Sequence, residues 1–186
     1  MQIDLTMRLT RAMLTEALET KNEALVGHAG THFDRMDQEF PLDYTQREGV
    51  VFDVRGIFDR EIGIGDIRLD AVEKEMFVVF YSGFSEIEEY GTRAYYANHP
   101  QLSYELIDAL LEKGISVIGI DFAGIRRTPE HIPADQRCAD RGVFVIENLR
   151  NLEKLLSMGR RFTAGIYPVY CEDMTGLPCR VVAQLP

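Results

Sequence analysis

Three runs along the chain are almost wholly apolar: EMFVVFYSG (75–83), ISVIGIDFAG (115–124) and VFVIENL (143–149). Each is of strand length and none alternates, so each reads as a strand buried on both faces. Between the first two, Ser103 precedes YELIDALLEKG. There Leu106, Ile107, Leu110 and Leu111 fall on one helical face, and Gly114 stops the run. Strand, helix and strand in that order predict a β-α-β unit. The flanks are more mixed. QIDLTMR (2–8) alternates as a strand does, RAMLTEALETKNEAL (11–25) favours helix by propensity, and VVFDVR (50–55) is a short strand. SEIEEYGTRAYYANHPQ (85–101) is polar and aromatic together and predicts a lining loop with short helical turns. PADQRCADRG (133–142) predicts a short helix or turn, Asn151 a cap for LEKLLSMG, and RFTAGIYPVYC and PCRVVAQL two closing extended segments. No internal repeat, low-complexity tract or linker interrupts the pattern. It predicts one α/β domain over residues 1–186, with more than a simple parallel sheet.

Charge narrows the partners. Twenty basic against 30 acidic residues give a formal charge of -10. Nucleic acid and anionic membrane both attract basic patches, so neither is expected as a partner. No apolar run approaches the ~20 residues of a membrane span. MQIDLTMRLT lacks the continuous apolar stretch of a secretory signal, so the cytoplasm is the expected location. Cys138, Cys171 and Cys179 form no C-x-x-C pair and read as reduced, buried small hydrophobes.

The candidate chemistry begins in GHAGTHFDRMDQEFP (27–41). Gly30 and Thr31 are poor helix formers, so this stretch is expected to be extended. Side chains alternate faces in a strand, which would put His28, Gly30, His32 and Asp34 on one face, with Gly30 leaving room between two imidazoles. Two nitrogens and an oxygen so placed can meet at a metal ion. Asp121 and Glu147 end apolar strands, a common place for functional carboxylates in α/β folds. GIGIGD is too short and misplaced for a nucleotide loop.

Several blocks in order, HAGTHFD, GISVIGID, RGVFVIENLRNLEKL and YPVYCEDMTGLPCRVVAQL, resemble the metal-dependent cyclase and kynurenine-formamidase-like family. The similarity covers most of the chain. It implies a mixed, partly barrel-like β core with flanking helices, the swivelling β/β/α fold, in a homodimer or homotetramer. It also implies hydrolysis of a small amide or cyclic amide with one or two zinc or manganese ions.

Carried over by position, the resemblance assigns His28, His32 and Asp34 as ligands, completed by Asp135 and Glu147. The family carries a histidine twelve residues before the glutamate, where this chain has Asp135. The oxygen-rich set favours manganese, or zinc with expanded coordination. The family motif also runs on through a proline to a further histidine, usually the general base. Those positions are Met36 and Gln38 here. Gln38 cannot take a proton near neutral pH, so Asp37, Glu39 and His131 become candidate relays. Arg126 and Arg127 could meet a substrate carboxylate, and Tyr95 and Tyr96, with Tyr90, could wall a pocket. Two rival readings stand beside the hydrolase: a binding member of the family with weakened turnover, and a lyase or isomerase of a small acid on the same scaffold.

Overall fold

A computed structural model of the chain describes residues 1–20, 23–172 and 174–185. In chain order the elements are β1 (Gln2–Asp4), α1 (Arg11–Thr20), α2 (Glu23–Gly27), β2 (His32–Asp34), β3 (Gln46–Asp53), β4 (Phe77–Tyr81), α3 (Phe84–Ile87), α4 (Arg93–Asn98), α5 (Tyr104–Lys113), β5 (Val117–Ile120), α6 (His131–Ala139), β6 (Phe144–Glu147), α7 (Leu152–Met158), β7 (Arg161–Pro168) and β8 (Gly176–Gln184). The strands run β1-β8-β2-β6-β5-β4-β3-β7, and β7 pairs back onto β8, closing the sheet into a mixed barrel. β3, β4, β5 and β6 are parallel neighbours, and β2, β7 and β8 complete the ring antiparallel. Among the described residues no helix is long and apolar enough to cross a membrane.

The continuous apolar runs follow from burial on both sheet faces. One set, Phe33, Val51, Phe77, Val79, Val117, Phe144, Ile146, Phe162 and Val181, comes from around the ring and fills the barrel. The alternate set, Val50, Phe52, Val78, Phe80, Ile118, Ile120 and Val145, packs outward with Leu106, Ile107, Leu110 and Leu111 of α5 and Cys138 of α6. Gly119 faces inward, where a Cβ would stand 2.5 Å from the Phe77 ring. α5 begins as its sequence predicts: the Ser103 hydroxyl accepts from the Leu106 N–H, and Gly114 ends the helix at φ 68°.

Three expectations need correction. Residues 28–34 are not one strand. α2 runs through Gly27, His28 lies in the following turn, and only His32–Asp34 pair in the sheet. Gly30 takes φ 64° to turn the chain from helix to strand, and a Cβ there would stand 2.6 Å from Leu9. Its job is the turn, not space between imidazoles. Asn151 precedes α7 at φ 59° and makes no side-chain cap; its amide nitrogen donates to Asp4 O at 2.7 Å. Cys171 is only half-buried, whereas Cys138 and Cys179 are buried and all three are free. The helical stretch expected over 11–25 appears as α1 and α2; residues 21 and 22 between them lie outside the described residues.

Candidate metal centre

The antiparallel register of β2 against β6 sets His32 opposite Glu147. Phe33 points into the barrel, so its neighbours His32 and Asp34 point outward, on the face that Glu147 shares with Val145. α6 covers that face. His131 and Asp135 are one helical turn apart, so both side chains reach it. The turn after α2 brings in the sixth residue, His28, whose ring lies over Gly176, the register partner of Asp34. A Cβ on Gly176 would stand 2.6 Å from that ring, and one on Gly124 3.0 Å from the His131 ring. Two glycines far apart in sequence thus admit two of the imidazoles.

His28 Nε2 is 3.4 Å from Asp34 Oδ1, and His32 Nε2 is 3.5 Å from the same oxygen and 3.4 Å from Glu147 Oε2. His131 Nε2 is 3.0 Å from both Asp135 Oδ2 and Glu147 Oε1. Potential ligand atoms fall into two overlapping groups, His28–His32–Asp34 and Asp34–His131–Asp135–Glu147, each within 4.8 Å, and Asp34 belongs to both. The side chains of His28 and His131 are 38% and 33% exposed, those of the other four only 3 or 4%. Solvent therefore enters at the two outer imidazoles.

The buried charges shift one another's ionisation. Burial alone would lower the pKa of His32, but the Asp34 and Glu147 carboxylates outweigh it and push it up to about 9. Burial likewise works against His131, and Asp135 with Glu147 raise it to about 11. Burial would raise Asp34, but His32 and His28 hold it well below the usual carboxylate range. Asp135 goes the other way. Burial pushes it up to about 7, and the Asp34 and Glu147 charges add to this against His131. Two buried oxygens, Asp34 Oδ2 and Asp135 Oδ1, have no hydrogen-bond partner among the described residues. A buried carboxylate oxygen left unpaired is costly, and a cation removes the cost. The donor set of imidazoles and carboxylates suits a divalent metal.

The remaining candidates sit otherwise. Met36 takes φ 54°, and Gln38 N–H donates to Arg35 O at 2.9 Å, so the chain turns directly after β2. Asp37 is exposed, and its Oδ1 accepts from Gln38 Nε2 at 3.0 Å and Gln136 Nε2 at 2.8 Å. Glu39 is exposed. Arg126 is buried and spent on Glu61 (2.6 Å), Glu130 (2.5 Å) and Leu102 O (2.8 Å). Arg127 donates to His99 O at 2.6 Å and Asn98 O at 3.1 Å. Tyr95 is fully buried, whereas Tyr96 is half exposed. Asp121 accepts from Ser82 N, Ser82 Oγ and Gly83 N at 2.9, 2.7 and 2.8 Å. It ties the ends of β4 and β5 together, outside the cluster. Two surface clefts of about 600 Å³ each lie elsewhere: one is lined by Phe52, Asp53, Arg68 and Arg160, the other by Asp108, Gln136 and Arg137. Volume and chemistry disagree about the site. The unpaired oxygens favour the chemistry, since nothing in either cleft needs a ligand to satisfy a buried charge.

Sequence reading passed over His99 and Asn148. His99 is buried, stacked on Phe122 at 5.6 Å, with Nδ1 2.8 Å from Pro100 O. Asn148 sits at φ 59° directly after Glu147. The only signal for it was its place next to that acid.

Comparison with known proteins identifies the family and the fold. The family model described as "Cyclase: Putative cyclase" matches residues 3–126. No curated protein matches the sequence. Among solved structures, one described as a "Potential Metal-Dependent Hydrolase With Cyclase Activity" superposes with a TM-score of 0.77 at 23% identity, covering 100% of this chain and 99% of the other. A structure described as a "predicted metal-dependent hydrolase from Bacillus stearothermophilus" gives 0.72 at 21% identity, covering 98% and 97%. Isatin hydrolase A from Ralstonia solanacearum gives 0.70 at 19%, covering 84% of this chain and 72% of that enzyme.

Proposed function

The chain belongs to the cyclase family of metal-dependent hydrolases, and on that premise we propose that it hydrolyses a small amide or cyclic amide, as an arylformamidase or a cyclic-amide-opening enzyme. The observation that carries this is the pair of unpaired buried oxygens, Asp34 Oδ2 and Asp135 Oδ1, in the midst of three imidazoles and a third carboxylate. His28, His32 and Asp34 would hold one zinc or manganese ion, and Asp34, His131, Asp135 and Glu147 could hold a second. A divalent ion supplies a Lewis acid for the carbonyl and a water of lowered pKa. The chain's residues do the rest. His28 and His131, at the exposed edge, flank the entry of a small substrate. Asp34, shared by both groups, fixes their spacing. Gln38, paired to Asp37, stands where a proton relay is expected and can orient but not accept. Asp37 or Glu39, or His131 if it leaves the second group, would carry the proton to the departing nitrogen.

The likeness to isatin hydrolase supports the cyclic-amide arm by fold alone. Both guanidiniums after β5 are engaged by the protein, which favours a neutral amide over a substrate gripped by its carboxylate. We likewise propose a homodimer or homotetramer, as the family resemblance implies, located in the cytoplasm. The test is metal analysis together with turnover of a formyl-anilide, cyclic-amide and lactone panel, before and after chelation. Chelation-sensitive product supports the hydrolase. A fully loaded protein that turns over nothing favours the binding reading, which Gln38 motivates.

A further inference from the structure

Both peptide groups of Gly30 are held by side chains from elsewhere in the fold, one from the aromatic segment after β4 and one from the residue after β6. The Gly30 N–H donates to Tyr90 Oη at 2.8 Å. The Gly30 carbonyl accepts from Asn148 Nδ2 at 3.0 Å and faces His32 Nδ1 at the same distance. Asn148 is itself oriented: its Oδ1 accepts from Tyr95 Oη–H at 2.7 Å, and its backbone carbonyl accepts from Thr31 Oγ–H at 2.8 Å. Asn148 and Tyr95 are 1% and 0% exposed, so no water competes for these bonds. The links run unbroken from the α4 tyrosine to the imidazole: Tyr95 Oη, Asn148 amide, Gly30 carbonyl, His32 Nδ1.

We propose that Tyr95 is a positioning residue for the metal centre, acting through Asn148 and the Gly30 carbonyl to hold the His32 ring with Nδ1 protonated and Nε2 turned toward Asp34 and Glu147. The inference rests on the metal-centre reading for its purpose, but the chain of bonds exists without a metal. A histidine ligand needs its second nitrogen fixed so that the first presents a lone pair in the right direction. Here the fixing group is a carbonyl in a glycine turn outside the sheet ladder, so the carbonyl must itself be held. Asn148 supplies that hold. Its left-handed backbone, which asparagine tolerates, swings the side chain back over Gly30 directly after the Glu147 ligand. Tyr95 sets which way the amide faces, because only Oδ1 can accept the phenol proton, leaving Nδ2 for Gly30. The packed rings of Tyr90, Tyr95 and Tyr96, with centroids 5.4–6.2 Å apart, make segment 90–96 the brace behind one metal ligand.

The test compares wild type, Tyr95→Phe and Asn148→Ala, with Ile107→Val as a control that loses one buried methylene in the same core cluster as Tyr95. Nitrogen-15 NMR on histidine-labelled, metal-free protein reads the His32 Nδ1–H directly. Wild type and Ile107→Val should show a slowly exchanging, hydrogen-bonded proton; Tyr95→Phe should exchange it at least ten-fold faster, and Asn148→Ala faster still. In chelator competition the zinc dissociation constant should rise ~10–100-fold in Asn148→Ala, less in Tyr95→Phe, and stay within two-fold in the control. If Tyr95→Phe keeps both the protected proton and the wild-type zinc constant, the proposal is wrong. If wild type binds no zinc, the metal reading fails while the proton measurement still decides the positioning.

Discussion

Asp135→Asn should stabilise the metal-free protein and weaken its grip on metal. Asp135 is buried and has one carboxylate oxygen unpaired. It shares a small volume with Asp34 and Glu147, so three acids meet there, and His131 pairs with Asp135 at 3.0 Å. An orphaned buried acceptor costs ~1–3 kcal/mol, and like charges at this range add to it. The amide keeps the shape, removes the like charge, and replaces the unpaired acceptor with an Nδ2 donor in a group that holds two other carboxylates. It gives up a charge-assisted bond to His131, which is one-third exposed and solvent-screened, so that loss is the smaller term. The net gain in the chelated protein is about 1–2 kcal/mol, a rise in Tm of roughly 2–8 °C for a chain of this length. The metal arm has the opposite sign. Free ion at ~100 times its dissociation constant adds about 2.7 kcal/mol to wild type, and each ten-fold loss of affinity removes about 1.4 kcal/mol. Thermal unfolding of both proteins, chelated and then saturated with manganese or zinc, should therefore give curves that approach or cross. A variant less stable than wild type after chelation, yet equally stabilised by metal, would refute the argument. Asp135 would then be a structural acid satisfied by the fold.

Gln38→His should raise turnover of a formyl-anilide at least ten-fold with metal content unchanged, because a base in that place is worth ~10²–10⁴-fold; a slower variant with full metal would make Gln38 a substrate contact. His99, held down to about 4 by burial, with Arg127 and His131 nearby adding in the same direction, binds fewer protons folded than unfolded between pH 4 and 6.5. Stability from this residue is thus complete above about pH 6.5 and falls as pH drops toward 4, by roughly 3 kcal/mol in total. Denaturant unfolding of His99→Phe across that window should show a shallower slope, and an unchanged slope would sink the assignment. Sedimentation should give an oligomer; a mass near 21.2 kDa at micromolar concentration would contradict that expectation.

The sheet was legible because its signal is local. Phe77–Tyr81, Val117–Ile120 and Phe144–Glu147 are buried on both faces, and that leaves an uninterrupted apolar run in the sequence. The same locality misled at 28–34. Two poor helix formers suggested an extended stretch, but the preceding helix continues to Gly27 because it packs there: a Cβ on Gly27 would meet Gly176 O at 2.4 Å. Tertiary contact decided the element, and no local pattern recorded it. The closure of β7 onto β8 and the seating of β2 between β6 and β8 are likewise invisible locally.

His131 shows why the site was harder to read than the fold. Its spacing to Asp135 puts both on one helical face, and that much is arithmetic. What the arithmetic lacks is the object facing the helix. Only the register of β2 on β6 places Glu147 within 3.0 Å of His131 while setting His32 on the other side of the same carboxylate. The aspartate that stands where the family has a histidine then changes meaning. Read along the chain, it is a lost nitrogen. Read across α6, the nitrogen comes from one turn earlier and the aspartate is an additional oxygen, so the second group keeps an imidazole and gains a charge. That gain is what leaves Asp135 Oδ1 unpaired. If the proposed metal reading holds, the oxygen-rich group would be the better place for a harder ion such as manganese, while His28, His32 and Asp34, with two nitrogens to one oxygen, would suit zinc.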